Sequence, residues 1–209
     1  MPPFIRLYAS TDHAAIERIC LLTANNGTSA EGIYTLGENL MANLFAHPYT
    51  HFHPDLAFVL DNGEGEAVGY ILGTPDTPAF VQKWSAEWIE KFPQYPPTPM
   101  DLPTPTPDEI MLGLFHHPER LILPEVADYP AHLHIDLLPP FQGKGWGREF
   151  MKTFLGALKE KGVEKVHLSM VTANVKARGF YDRMGFEVIE VPEPGVLTYL
   201  GRRTEWKEQ

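Results

Sequence analysis

A short glycine-rich turn constrains the fold of this chain more than any other feature. Its sequence is Gln142-Gly143-Lys144-Gly145-Trp146-Gly147. An apolar run ending at Leu138 precedes it, and a helical pattern with large apolar residues at every fourth position follows. A strand that passes through glycines into a helix leaves backbone N–H groups unpaired at the helix N-terminus, where they favour an anion. The turn therefore predicts either a phosphate site or a tight connection without a ligand.

Two well-known phosphate loops are excluded by spacing. A P-loop requires Gly-x-x-x-x-Gly-Lys, but the fifth residue after Gly143 is Arg148. A dinucleotide fingerprint requires Gly-x-Gly-x-x-Gly, and Arg148 also occupies its third glycine position. The pattern present is Gln142-x-x-Gly145-x-Gly147, which belongs to neither class.

Regular elements surround this turn. Hydrophobic periodicity and turn residues predict strands over 4–8, 56–60, 67–72, 132–138, 165–171, 186–191 and 197–202. They predict helices from Ser10 or Thr11 to about 23, and over 35–46, 145–161 and 174–184. Strands and helices alternate, so the fold class is mixed α/β.

Residues 75–129 differ in character from the rest of the chain. A helical stretch over 79–92 carries Phe80, Trp84 and Trp88 at spacing four, and residues 93–107 hold seven of the 20 prolines. Such a proline density excludes helix and central strand, and a short helix over 108–116 follows. We expect one domain over 1–209 with an insertion or lid at about 75–129. Its tryptophans pack the insertion onto the core or, alternatively, an aromatic of this segment lines a substrate pocket.

A second pattern lies downstream of the glycine turn. Asn174 and Tyr181 are seven residues apart, so they share one helix face. Each residue alone has a structural interpretation. Asn174 is a candidate helix N-cap, Tyr181 is a candidate core residue and Gly185 is a candidate helix C-cap.

Together the two patterns resemble motifs A and B of the GCN5-related N-acetyltransferase (GNAT) superfamily. Gln142-x-x-Gly145-x-Gly147 is followed by Asn174-x-x-Ala177-x-x-Phe180-Tyr181-x-x-x-Gly185-Phe186, and the similar region covers about 132–191. The whole chain also looks like the acetyltransferase-like family related to the C-terminal domain of O-GlcNAc hydrolases. The resemblance implies a twisted, mostly antiparallel sheet of about six or seven strands, with helices on both faces and a splayed central strand pair.

The resemblance also implies acetyl-CoA as co-substrate and assigns residues to it. Pantetheine would pair with the backbone at Ile135, Leu137 and Leu138, and N–H groups from Gln142 to Arg148 would hold the pyrophosphate. The cofactor-binding residues implied in this way are Ile135, Leu137, Leu138, Gln142, Gly143, Lys144, Gly145, Trp146, Gly147, Arg148, Asn174, Ala177, Phe180 and Tyr181. Tyr181 would also be the general acid for the leaving thiolate, and Lys144, Arg148 or Arg183 would meet the 3′-phosphate.

The expected reaction is direct attack of a primary amine on the thioester, which needs a general base and an oxyanion donor. The strand His132-Leu133-His134-Ile135-Asp136 places three ionisable side chains on one face. Asp136 or His134 is the candidate base, and a backbone N–H near Leu137 or Leu138 is the candidate oxyanion donor. The alternatives are a structural His–Asp hydrogen-bond cluster or a His-x-His metal site, for which no further ligands stand nearby. We therefore expect no metal.

The remaining histidines are weaker candidates. His47, His51 and His53 are expected in a loop, with an acceptor-site wall or a metal as alternatives, and His116-His117 are expected to be structural. A catalytically inactive acyl-CoA-fold module and an unrelated metal hydrolase are the competing functions.

Charge and composition set limits on partners and location. The net charge of −10 argues against nucleic acid and anionic membrane and is compatible with a small amine or a lysine-bearing substrate. The single cysteine, the lack of a long apolar stretch and the lack of a signal-like N-terminus favour a cytoplasmic protein. A homodimer is compatible with the sequence.

Overall fold

The computed structural model describes residues 1–37 and 39–206. Its strands form one seven-stranded sheet. They are β1 (Phe4–Leu7), β2 (Ala57–Asp61), β3 (Ala67–Thr74), β4 (Ala131–Leu137), β5 (Lys165–Val171), β6 (Glu187–Ile189) and β7 (Leu197–Arg203). The helices are α1 (His13–Thr23), α2 (Leu40–Phe45), α3 (His47–Phe52), α4 (Thr77–Lys83), α5 (Pro107–His116), α6 (Trp146–Glu160) and α7 (Val175–Arg183).

The strand order is β1-β2-β3-β4-β5-β7-β6. Every neighbouring pair is antiparallel except β4 and β5, which run parallel at the centre of the sheet. The mostly antiparallel seven-stranded sheet confirms the predicted fold class. None of the helices in the described ranges is long and apolar enough to cross a membrane.

Helices cover both faces of the sheet. On one face, here called face A, Val59, Tyr70 and Leu72 pack in a buried cluster with α1 and α2. On the opposite face, called face B, Ile71 and Leu133 pack with the apolar stripe of α6. Alternate residues of a strand point to opposite faces, so β3 and β4 contribute to both layers.

The segment between β3 and β4 belongs to the face A layer. Helix α4 continues through a π-helical turn at Trp84–Trp88. The Trp84 indole N–H donates to the Phe115 carbonyl at 3.0 Å, and the Trp88 indole N–H donates to the Asn43 carbonyl at 2.9 Å. Both tryptophans are buried, which agrees with their predicted role in packing this segment onto the core.

The proline-rich stretch contains no helix or strand between Lys91 and Pro107, as its composition predicts. Helix α5 then begins at Pro107, whose missing N–H costs nothing in the first helical turn. Thr106 and Glu109 form a reciprocal capping box there, with the Glu109 carboxylate accepting from the Thr106 N–H at 2.7 Å.

The predicted helix over 35–46 is confirmed from Leu40 to Phe45, but it does not begin at residue 35. Residue 38 lies outside the described residues, Leu36 is exposed, and two short helices, α2 and α3, follow from Leu40 onward. The chain turns at Ala46 (φ −134°, ψ −56°), because Pro48 cannot continue a helix interior but fits the first turn of a new one. His47 and His51 are therefore helical rather than in a loop.

Candidate active site

The two central strands separate soon after they meet. Within the described ranges, β4 and β5 pair only at Ala131–Val166 and His132–His167, and from His134 onward the carboxyl half of β4 has no strand partner on that side. The opening is the predicted splay. It joins face A to face B through the middle of the sheet.

The main-chain groups of β4 alternate between its two neighbours. The Leu138 N–H donates to the Val68 carbonyl at 3.0 Å, so by antiparallel alternation the N–H groups of Ile135 and Leu137 point away from β3. They face the splay. Of the two predicted oxyanion donors, Leu137 is available, whereas the Leu138 N–H is already engaged.

The glycine turn offers a run of unpaired donors. The N–H groups of residues 143–147 have no hydrogen-bond partner in the described part of the chain, whereas those of Gln142 and Arg148 donate to the Pro139 and Gly145 carbonyls. Gly143 (φ +71°) and Gly145 (φ +89°) are left-handed, and open space surrounds the position that a Cβ would take at each. The N–H groups of Gln142 and Arg148 therefore drop out of the predicted set of pyrophosphate donors. Those of 143–147 remain, at the N-terminus of the 15-residue helix α6.

Gln142 fixes this turn through its side chain. Its amide N–H donates to the Leu137 carbonyl at 2.7 Å, and its amide oxygen accepts from the Lys176 ammonium at 2.9 Å. Gln142 therefore ties together the end of β4, the turn and the start of α7. Its contacts suit a positioning role rather than direct phosphate binding.

Gly147 allows α6 and α7 to approach closely. A Cβ at Gly147 would lie 2.9 Å from Cε2 of Phe180, which is closer than carbon atoms normally approach. Trp146, Ala177 and Phe180 are partly buried beside the same core on face B. This packing fixes the turn relative to the helix that carries Tyr181.

Helix α7 begins and ends as predicted within a residue. Asn174 caps it, with Oδ1 accepting from the Ala177 N–H at 3.0 Å, so the N-cap interpretation of Asn174 is correct. Tyr181 lies among the core residues of face B, against Phe180 and Phe186. Its hydroxyl has no hydrogen-bond partner among residues 1–37 and 39–206. Burial, and then the Asp136 charge, raise the pKa of Tyr181 and keep the hydroxyl protonated.

Asp136 lies on face A at the edge of the splay. The Tyr70 hydroxyl, its cross-strand neighbour, donates to Oδ2 at 2.8 Å. Burial raises the pKa of Asp136 to about 6, although hydrogen bonds from Tyr70 and Thr23 act in the opposite direction. A carboxylate with a pKa this close to neutrality is a better base than an ordinary one and is still ionised at pH 7.

His134 and His132 share one tyrosine on the same face. The Tyr49 hydroxyl lies 3.1 Å from His134 Nε2 and 2.8 Å from His132 Nε2. His132 also contacts the Thr77 hydroxyl through Nδ1 at 2.8 Å. Burial, and then the charge of Arg120, lower the pKa of His134 to about 4, which makes it a weak base. Near neutral pH, Asp136 is therefore better suited than His134 to accept a proton, and both ring nitrogens of His132 have hydrogen-bond partners.

Sequence reasoning missed the partners that come from distant parts of the chain. Tyr49 and Tyr70 form hydrogen bonds with β4 side chains that lie 66 to 85 residues away in sequence. Arg120, on the segment between β3 and β4, lowers the pKa of His134 through its charge. Arg120 is partly buried, and no carboxylate forms an ion pair with it in the described chain, since Glu119 pairs with His117 at 2.8 Å. Strand alternation could have placed Tyr70 on the Asp136 face, but no local pattern marks Tyr49 or Arg120.

The candidate 3′-phosphate residues fall into two groups. Arg148 and Arg183 line one surface cleft, in which the Arg148 and Arg202 guanidinium groups stack on the Trp206 ring at 5.0 and 5.3 Å from its centre. Lys144 is exposed on the turn, 5.9 Å from the centre of the Phe141 ring. Lys144 lies within the run of unpaired N–H groups of the described turn, and Arg148 directly follows that run in sequence.

His116 and His117 make the structural contacts that were expected. His116 Nε2 lies 3.1 Å from the Tyr95 carbonyl oxygen, and His117 pairs with Glu119. His53 contacts the Thr74 hydroxyl at 3.1 Å, and His51 packs against Phe52 and Trp88. None of these four side chains contacts Asp136 or Tyr181.

Known proteins share both the sequence pattern and the fold. The profile of the Acetyltransferase (GNAT) family matches residues 111–186, which include the glycine turn and α7. The [ribosomal protein bS18]-alanine N-acetyltransferase of Haemophilus influenzae is 33% identical over 66 residues. That match covers 32% of this chain and 44% of the enzyme, so the chain matches less than half of the length of that relative.

Solved structures match over nearly the whole chain. The crystal structure of SsHAT is 51% identical and superposes with a TM-score of 0.93, covering 99% of this chain and 100% of that one. The structure of yncA from Salmonella typhimurium with its cofactor acetyl-CoA has a TM-score of 0.56 at 15% identity, covering 100% of this chain and 98% of that one. At that identity the likeness to yncA concerns the fold alone.

Proposed function

Because the chain belongs to the GNAT acetyltransferase family, we propose that it transfers an acetyl group from acetyl-CoA to a primary amine by direct attack. The observation that carries this proposal is the run of five unpaired N–H groups at 143–147, beside an opened central strand pair. A run of donors at a helix N-terminus suits a pyrophosphate. The open space around Gly143 and Gly145 weighs against an inactive module with a blocked loop.

Acetyl-CoA would supply the activated acetyl group. The residues that fit it are those at the splay and on the turn. The free N–H group of Ile135 suits an amide carbonyl of pantetheine, and that of Leu137 suits the thioester carbonyl. The N–H groups of 143–147 suit the pyrophosphate, and Lys144 suits a further phosphate. We assign Gln142, Trp146, Gly147, Asn174, Ala177 and Phe180 to shaping this site.

Asp136 is the proposed base. The amine must lose a proton as its nitrogen bonds to the acetyl carbon, and Asp136 accepts that proton directly or through a water molecule. The Leu137 N–H is the proposed donor to the negative charge that develops on the carbonyl oxygen. As the carbon–sulfur bond breaks, Tyr181 gives its proton to the departing sulfur. The raised pKa of Tyr181 keeps its hydroxyl protonated, so a donor is in place as negative charge develops on the sulfur.

In this proposal, face B carries residues that act on the co-substrate, and face A carries residues that act on the acceptor. The turn and Tyr181 belong to face B, whereas Asp136, His134 and the segment between β3 and β4 belong to face A. The acceptor would therefore approach from face A, where residues 75–129 form an insertion that shapes its pocket. Small amines and lysine side chains remain the substrate classes, and the cytoplasm remains the proposed location.

A thiol-release assay tests the proposal. Wild-type protein, acetyl-CoA and a panel of primary amines should release free coenzyme A, and acetylated amine should be found by mass spectrometry. Tyr181→Phe should slow the release by about 100-fold, the size of a general-acid contribution. Thiol release that is unaffected by Tyr181→Phe would contradict the assigned role, and release without acetylated amine would contradict the reaction.

A further inference from the structure

A separate group of metal-ligating side chains lies at the junction of α1 and α3. His13 and Glu17 are one turn apart on α1, and His47 is the first residue of α3. One ligand atom from each of the three lies within 4.8 Å of the others. Neither Asp136 nor Tyr181 is among their contacts, so the group stands apart from the proposed active site.

We infer that His13, Glu17 and His47 bind a divalent transition-metal cation of the Zn²⁺ class. Two imidazoles and one carboxylate suit Zn²⁺, and three protein ligands leave one position of a tetrahedral site for water. This site is independent of the acetyl-transfer chemistry.

The distances agree with a shared cation. His47 Nε2 lies 3.2 Å from Glu17 Oε1, and His13 Nε2 lies 3.6 Å from the same oxygen. Ligand atoms at about 2.0–2.2 Å from a tetrahedral cation are separated by about 3.3–3.6 Å. Both measured separations are close to that range, so a cation fits with small movements.

His47 has the features of a preformed ligand. Its side chain is 2% exposed, and its Nδ1 has no hydrogen-bond partner among the described residues. Its Nε2 lies 3.2 Å from Glu17 Oε1, so this ring nitrogen already faces the oxygen with which it would share the cation.

His13 supplies the movable part of the site. Its ring stacks on the His47 ring with centres 3.8 Å apart and planes 6° apart, so their in-plane lone pairs run parallel in this structure. The His13 side chain is 57% exposed, which leaves it room to turn its lone pair toward the cation. Glu17 also lines a surface pocket with Arg18, Leu21 and Asn39, through which solvent reaches its carboxylate.

Metal binding should clamp the first turn of α1 to the start of α3. The test is titration of ZnCl₂ into the chelator-treated, tag-free full chain, followed by calorimetry. We expect about one equivalent to bind, and the bound cation to raise the melting temperature, because it binds only the folded state. Co²⁺ should give the absorption spectrum of a tetrahedral nitrogen and oxygen site.

His13→Asn is the decisive variant, since this exposed residue can be replaced without disturbing the core. It should weaken Zn²⁺ binding at least 10-fold and abolish the thermal shift, and Glu17→Gln should do the same. The matched control is His51→Gln, an exposed histidine on α3 outside the cluster, which should bind as wild type does. Absence of binding by wild type, or equal binding by wild type and His13→Asn, would overturn the inference. Acetyl-CoA binding by the His13→Asn variant should be unchanged.

Discussion

Asp136 is the residue whose chemistry is most sensitive to its surroundings. It sits on a central strand beside Tyr70, half-buried, with a pKa raised to about 6. Proximity to the buried Tyr181 links it electrostatically to the other face of the sheet. Replacement of Asp136 should therefore change both turnover and stability.

Asp136→Asn should lower kcat by about 100-fold or more, because an amide cannot accept the proton of the amine. Acetyl-CoA affinity should change little, since the proposed contacts of the co-substrate come from the backbone of β4 and from the turn. In the wild type, kcat/KM should rise with pH through about 6 as Asp136 ionises. Stopped-flow or steady-state kinetics together with calorimetry measure both effects. Equal losses in turnover and affinity would remove Asp136 as the base.

The same substitution should stabilise the protein at alkaline pH. The folded-state pKa of about 6 exceeds the usual unfolded value of about 3.9, so the folded state binds the proton more tightly. Stability therefore falls as pH rises from about 4 to about 6, and the burial cost of the charge is fully present above that window. Asn carries no charge and can still accept from Tyr70.

Melting temperatures of wild type and Asp136→Asn, measured from pH 4 to pH 8, test whether stability changes with pH in this direction. The difference in favour of the variant should grow with pH and level off above about 6. A difference that is constant with pH would mean that Asp136 does not change its charge in that range.

At the scale of elements, the contact between α6 and α7 fixes the position of the glycine turn relative to Tyr181. Gly147→Ala should destabilise the protein by about 1–3 kcal/mol, because its Cβ meets the Phe180 ring. It should also weaken acetyl-CoA binding, because the N–H groups of the turn move with the start of α6. Urea denaturation and calorimetry measure the two effects.

Gly156→Ala is the matched control for that variant. Gly156 is also in α6, but nothing lies within 4 Å of the position of its Cβ. Alanine there should stabilise the helix by about 0.5–1 kcal/mol and leave acetyl-CoA binding unchanged. If Gly147→Ala had the same stability and acetyl-CoA affinity as Gly156→Ala, the close approach of the two helices would not be needed for binding.

Elements with strong local signals were predicted well from the sequence. β5 has the predicted bounds, and α6 and α7 agree within a residue or two, because apolar periodicity and caps such as Asn174 mark them. The region 35–46 was predicted only in part, because its leucines fit a helical period while Pro48 and the turn at Ala46 set the real boundaries. β6 is shorter than predicted, since only Glu187–Ile189 pair with β7.

At the scale of the whole molecule, the sheet brings together residues that no local pattern connects. The motif residues on the turn and α7 could be found from sequence, because their spacing is fixed by one strand–helix–strand–helix unit. Strand alternation could have placed Tyr70 on the face of Asp136, once β3 was paired with β4. Tyr49 and Arg120 could not be found, because their positions near β4 depend on how α3 and the segment between β3 and β4 fold onto the sheet. The cofactor half of the candidate site is thus local in sequence, and the acceptor half is not.

Binding of acetyl-CoA at the splay and the turn is the central requirement of the proposed function. Calorimetric titration of acetyl-CoA into the full chain measures this without knowledge of the acceptor. We predict binding of about one equivalent with a micromolar Kd, weakened in Gly147→Ala and retained in Asp136→Asn. No detectable binding by the wild type at high micromolar acetyl-CoA would contradict the proposed function.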